Sequence, residues 1–316
     1  MGLQVLVAYT VDLLVGDPRF VPHPVVLIGN FISWLETVVR KSIYSPRGLR
    51  VAGTLVVVIV VGSSYILTLL LLKLLSNIHP FWAYITGIWL ISTTLAARGL
   101  AQVAHDLRIL LARGNLEMAR RQVGMVVGRD SACMSSADMA RAAVETVAEN
   151  TVDAVVAPLF YAFIAGPPGA VAYRAVNTLD SMLGYKDDRY GDLGWASAKF
   201  DDLINFIPAR LTGLLMLCAA WLTGRDIKGA VKAWLADSGK HPSPNAGIPE
   251  SVVAGSLEVR LGGLNYYRGQ PSFRAYMGSS SSNVLPHHIR STVDMMFLTS
   301  FLAVLSGLSI YLLLRM

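Results

Sequence analysis

The sequence predicts an all-α, polytopic integral membrane protein whose helices break or re-enter around a polar cavity facing the cytoplasm. Three observations predict this. Of 316 residues, 53% are hydrophobic and only 15% charged, and mean hydropathy is +0.50, too apolar for an ordinary soluble domain. Segments 51–72, 78–97 and 295–314 carry no charge and approach the roughly 20 residues that a helix needs to cross the hydrocarbon core. A polar, carboxylate-rich block from Gly128 to Arg210 lies between apolar stretches, where ionisable groups must be hydrated, paired or holding a ligand. The length fits one membrane-embedded unit over 1–316.

In chain order, segment 3–15 is apolar apart from Gln4 and Asp12 and is short for a span; it breaks at Gly16-Asp17-Pro18. It lacks the basic start and small-residue cleavage site of a signal peptide. Val25 to Val39 reads as an amphipathic helix, closed by Arg40-Lys41. Segments 51–72 and 78–97 make a transmembrane hairpin, with Trp82, Tyr84 and Trp89 as interfacial anchors. Arg40, Lys41, Arg47 and Arg50 precede it and Arg98, Arg108, Arg113, Arg120 and Arg121 follow, so both flanks are expected in the cytoplasm. Arg98 to Arg121 is helical with a break at Gly114-Asn115. Segments 152–176, interrupted by Gly166-Pro-Pro-Gly169, and 203–223, with Asn205, Pro208 and Arg210, either both cross or both re-enter. Re-entry is preferred, because broken backbone at membrane depth is tolerated where it is buried or lines a cavity. The polar motif region 98–294 then stays on the cytoplasmic side. Ser279 to Asn283 is a short linker before 295–314.

The net charge of +6 does not point to nucleic acid, since the basic residues are scattered between apolar segments and form no arm or aromatic-laced stripe. Two cysteines supply neither a disulfide framework nor a metal pair. Phosphate-cradling Gly-Lys loops, dinucleotide fingerprints and His-Glu-x-x-His are absent from the sequence.

Chemistry concentrates in two places. Ser135 and Asp138 fit a capping box, and Asp138, Arg141, Glu145, Glu149 and Asp153 follow at spacings of three and four, along one helical face. A solvated face explains that spacing, but Glu145, Glu149 and Asp153 repel unless a cation joins them, and oxygen ligands of this kind suit Mg²⁺ beside a nucleotide phosphate. Asn177, Asp180, Ser181, Asp187, Asp188, Asp201 and Asp202 follow; turns and caps explain many of these, and Asp201-Asp202 suits a helix N-terminus. The second place is His241-Pro-Ser-Pro-Asn-Ala-Gly247, a stiff loop presenting His241, Ser243 and Asn245.

These motifs resemble a known family. Asp12-x-x-x-Gly-Asp-Pro18 with His23-Pro24, Gly128-Arg-Asp-Ser131, Arg141-Ala-Ala-Val-Glu-Thr-Val-Ala-Glu-Asn-Thr-Val-Asp153, Ala175-Val-Asn-Thr-Leu-Asp-Ser-Met182, Gly194-Trp-Ala-Ser197, Ile207-Pro-Ala-Arg210, His241 to Gly247 and Arg260-Leu-Gly-Gly263 resemble the CobD/CbiB family, the adenosylcobinamide-phosphate synthases. Ile248 stands where the family pattern has Trp, and Ala154 where it has Gly. The resemblance implies a multi-pass enzyme of the cell's inner (cytoplasmic) membrane, with its active site facing the cytoplasm. It would join (R)-1-amino-2-propanol or its O-phosphate to adenosylcobyric acid, a corrinoid, with ATP and Mg²⁺. Other cobalamin-pathway enzymes are implied as partners, beside the lipid bilayer. Physical reasoning laid on these motifs makes His241, Glu145 and Glu149 the expected catalytic residues. Glu145, Glu149, Asp153 and Asp180 would meet Mg²⁺. Substrate or phosphate would be held by Arg129, Asp130, Arg141, Asn150, Asn177, Ser181, Arg210, Ser243 and Asn245. A transporter or binding protein for an anionic corrinoid is the competing class, since broken apolar helices with carboxylates also build transporters, although no paired halves with matching breaks are seen. A membrane scaffold for soluble enzymes is a third.

Overall fold

Caps and prolines set the helix boundaries before any packing does. His23-Pro24 and His79-Pro80 each start a helix in the same way: the imidazole Nδ1 accepts from the N–H two residues on, at 3.3 Å from Val25 and 3.2 Å from Phe81, and proline fills the first helical position. Asn115 caps after Gly114, whose φ of 71° is easy only for glycine. Ser135 and Asp138 form the expected capping box.

The computed structural model describes residues 1–16, 23–185, 187–278 and 282–314. Asp17, Pro18 and Pro22 of the N-terminal break, and Ser279 to Ser281 of the expected linker, lie outside them. In chain order the elements are α1 (Gly2–Leu14), α2 (Pro24–Ser42), α3 (Pro46–Ile78), α4 (Pro80–Ser92), α5 (Ala97–Ala112), α6 (Leu116–Gly124) and α7 (Ser136–Thr151). A π-helical turn (Val152–Val156) joins α7 to α8 (Ala157–Leu183). Then come α9 (Trp195–Ile204), α10 (Phe206–Leu222), α11 (Ile227–Asp237), α12 (Gly247–Ser256), strands β1 (Leu261–Tyr267) and β2 (Gln270–Met277), and α13 (Pro286–Leu313).

Three helical stretches are long and apolar enough to cross a membrane: Pro46–Ile78, Ser136–Leu183 and Pro286–Leu313. The pair α9 and α10, bent by 46°, makes a fourth if it counts as one span. The expected interruption lies at Gly166, where φ 66° and ψ −159° leave the helical region just before Pro167-Pro168. The expected segment 78–97 differs. Helix α4 ends at Ser92 after 13 residues, well short of the roughly 20 that a span needs. The hydroxyls of Ser92, Thr93 and Thr94 donate to the carbonyls of Trp89, Leu90 and Ile91 at 2.7–2.8 Å, a local competitor of helix propagation that hydropathy does not register. Asp201-Asp202 also differ from expectation. They end α9 rather than begin a helix, because that helix starts at Trp195 and stops where Asn205 donates to the Asp201 carboxylate at 3.0 Å.

The chain divides into two compact units. The first comprises Met1–Ala96, Asp153–Asn205 and Val304–Met316. Its core holds Ile32, Leu35, Val56, Val57, Val60, Leu179 and Leu183. Glycine permits a close backbone approach there: a Cβ on Gly53 of α3 would stand 2.0 Å from the Leu193 carbonyl oxygen. The second comprises Ala97–Val152 and Phe206–Ala303. There α11 and α12 touch backbone to backbone, since a Cβ on Gly255 would lie 2.3 Å from the Gly229 oxygen.

The second unit also contains what an all-α expectation leaves out, the antiparallel hairpin β1–β2. Arg268 and Gly269 form its two-residue turn, both with positive φ (50° and 76°), matching the turns that suit the twist of paired strands. The pairing has an irregularity between Leu261 and Gly263, where Gly262 and Gly263 hold φ of 84° and 94°.

Candidate active site in the second unit

The hairpin is clamped by the polar face of α7 and the loop before it. Arg141 donates to the Gly262 and Leu264 carbonyls. Asp130 accepts from the N–H groups of Arg268 (3.0 Å) and Gly269 (2.6 Å) and donates its own N–H to Tyr266. Glu145 completes the clamp: Oε1 accepts from the Gly262 N–H at 2.8 Å, and Oε2 accepts from Arg129 Nη2 at 2.5 Å. Arg129 and Glu145 are both buried, and the second terminal nitrogen of Arg129 has no partner. Burial works against the Arg129 charge, but Glu145 outweighs it and the pKa rises above the ordinary value.

The loop from His241 to Gly247 repeats the His-Pro device with a different outcome. Nδ1 of His241 lies 3.0 Å from the Ser243 N–H and 3.3 Å from the Ser243 carbonyl, so one residue satisfies that nitrogen as acceptor or as donor. Nε2 is thereby released to hold or lack a proton. Ser243 Oγ accepts from the N–H groups of Asn245 and Ala246, and Asn245 Oδ1 accepts from Arg210 Nη1 at 3.0 Å. Gly247 admits the close fold of this loop, since a Cβ there would meet Ser238 oxygen at 2.1 Å.

Two residues outside the sequence expectations join this group. Arg274 of β2 places Nη1 3.5 Å from His241 Nε2. Glu250 of α12, 1% exposed, places Oε1 3.8 Å from the same nitrogen, and neither of its oxygens accepts a hydrogen bond. Burial, then the Arg274 guanidinium, pulls the His241 pKa down to about 4. Burial, then the charges of Glu145 and Glu149, pushes that of Glu250 well above the carboxylate range. Both shifts favour the uncharged forms, an imidazole facing a carboxylic acid. Glu250 had a sequence signal, as the only ionisable residue in the apolar run 246–257; Arg274 had none.

The structure thus brings Arg129, Glu145, His241, Glu250 and Arg274 together, with Asp130 and Arg141 as clamps and Arg210 of α10 donating to Asn245 of the loop. Asn150 donates to the Thr146 carbonyl one turn back. Asp153, Asn177, Asp180 and Ser181 belong to the first unit, where Asn177 Oδ1 accepts from Arg174 and Ser181 Oγ donates to the Asn177 carbonyl. Among the described residues no three His, Cys, Asp or Glu form a group that could hold a metal ion. Both oxygens of Glu145 are already occupied by protein donors. A protein-built Mg²⁺ cage does not fit the arrangement seen.

Comparison with known proteins agrees with the motifs. The model of the family described as "CobD/Cbib protein" matches residues 5–296. The chain belongs to the CobD/CbiB family. A relative named cobalamin biosynthesis protein CobD, from Geobacter metallireducens, is 46% identical over 96% of this chain and 95% of its own. The CobD protein of Citrobacter koseri is 42% identical over 94% and 93%. The CbiB protein of Salmonella typhimurium is 39% identical over the same shares. No solved structure matches. The CobD/CbiB match takes in the whole clamped cluster, Arg129 to Arg274.

Proposed function

We propose that this chain works in cobalamin biosynthesis as a membrane enzyme that joins (R)-1-amino-2-propanol, or its O-phosphate, to adenosylcobyric acid in an amide bond, at the expense of ATP. One observation supports this above others. Family motifs far apart in sequence, 128–131, 141–149, 241–247 and 260–263, converge on one buried ionic cluster containing a neutral histidine. A carboxylate becomes an acyl donor only after activation, commonly as an acyl phosphate, and positive groups then stabilise the charge on the transferred phosphoryl group. The unpartnered nitrogen of Arg129 suits that anion. His241 is in the unprotonated form that takes a proton from the attacking ammonium. Mg²⁺ would enter as the nucleotide complex rather than on a protein cage. We place the site on the cytoplasmic face of the inner membrane, with segments 152–176 and 203–223 re-entering.

Incubation of the purified chain with adenosylcobyric acid, aminopropanol or its phosphate, and Mg-ATP, followed by mass spectrometry, tests the assignment. The amide is expected, and Glu149→Gln and His241→Ala should abolish it at unchanged protein abundance. Corrinoid uptake into vesicles without any amide product would overturn the ligase reading.

A further inference from the structure

Glu250 is the cluster member with no task in the fold. Its oxygens are buried and receive no donor, a loss of hydration that no hydrogen bond in the fold offsets. Glu145, equally buried, has both oxygens met by protein donors, so the cluster supplies donors where structure alone requires them. What Glu250 lacks is any hydrogen-bond partner, and His241 Nε2 stands 3.8 Å away. A primary ammonium between the two groups supplies the missing donors and brings the proton that amide formation must remove.

We propose that Glu250 docks the amine substrate: its carboxylate receives the ammonium, and His241 Nε2 takes the proton that frees the nitrogen lone pair. This rests on the ligase reading for the identity of the amine. The groups facing Glu250 are His241 on its loop, Glu145 and Glu149 on α7, Arg129 before it and Arg274 on β2. Burial without a donor favours the protonated form of Glu250 in the resting cluster, and an arriving R–NH3⁺ then displaces that proton to solvent. His241 then accepts one ammonium proton and becomes imidazolium beside the Glu250 carboxylate. The amine lone pair forms the C–N bond in a tetrahedral intermediate, which collapses as the acyl–phosphate bond breaks. Once the amide leaves, the imidazolium proton passes to Glu250 and restores the neutral pair. The second N–H proton departs from the tetrahedral intermediate with the leaving phosphate. Ser243 makes the exchange possible, since its carbonyl accepts Nδ1–H in the imidazolium and its N–H serves the other neutral tautomer.

Calorimetric titration of the purified full chain with 1-amino-2-propanol, in buffers of different ionisation heat near pH 7, counts the protons released; 2-propanol is the amine-free control. The wild-type chain should release about one proton per amine bound. Glu250→Gln should release none and bind at least tenfold more weakly, whereas Glu250→Asp should retain release. Circular dichroism and gel filtration establish that both variants are folded, and if the Gln chain fails to fold the Asp comparison carries the test. Undiminished affinity and release in Glu250→Gln, or absence of release in the wild type, would overturn the proposal. Amine binding with proton release but no amide product would leave it standing and remove the ligase reading.

Discussion

At the residue scale the cluster is a balance of buried charges, and each member's partners determine what its loss does. Arg129 and Glu145 form a buried pair, so removing one strands the other. Arg129→Met or Glu145→Gln is expected to destabilise the chain by about 3–5 kcal/mol, and the Arg129→Met/Glu145→Met double variant by clearly less than the sum; thermal unfolding in detergent checks both. Glu250 carries the opposite sign. Its native pKa lies above the unfolded value, so the native state binds more protons than the unfolded state above about pH 4.5, and stability is lost as pH rises from there. Glu250→Gln should therefore melt progressively higher than wild type between pH 5 and pH 8, even as amine binding fails. His241 acts at lower pH. Its native pKa is depressed, so its contribution falls away as pH drops from about 6.5 toward 4. Prolines and helical spacing in the sequence marked His241 and Glu145, while Arg129 came with the family resemblance. Arg274 stayed invisible, because its position depends on a strand register that no local pattern records.

At the element scale, legibility followed the range of the forces involved. The capping box, the Gly114-Asn115 break and the Gly166 interruption are local chemistry and stood in the sequence. The early end of α4 was equally local but hidden, because three hydroxyl residues count as tolerable in a hydropathy reading and their back-bonding does not register. The β1–β2 hairpin escaped because Arg268-Gly269 is a weaker turn signal than Asn-Gly. Arg141 holds that hairpin through two carbonyls, which a guanidinium fork reaches and a single ammonium does not. Arg141→Lys should leave the helices intact but raise amide exchange in 261–277 by tenfold or more, read by hydrogen-exchange mass spectrometry. Gly255→Ala should be worse for the fold, since the added methyl would meet the backbone of α11 and force the two helices apart.

At the scale of the whole molecule, the described residues hold three stretches suited to crossing a membrane, or four if the bent pair counts as one span. The sidedness we propose is testable with Cys133, which is exposed and lies in the polar region. In a Cys218→Ser chain, an impermeant maleimide should label Cys133 in inside-out vesicles only. An Asp188→Cys chain lacking both native cysteines should be labelled from the same side if 152–176 and 203–223 re-enter, and from the opposite side if they cross. The hairpin clamp carries a further consequence, for synthesis. Glu145 finds its backbone donor 117 positions later, at Gly262. Until the ribosome has delivered the hairpin, that carboxylate must stay hydrated or lean on Arg129 alone, so the cluster closes only after most of the membrane-suited helices have been made. A nascent chain arrested before residue 261 is therefore expected to be inserted yet protease-sensitive around 128–145, and the last strands to emerge act as the latch on the chemistry.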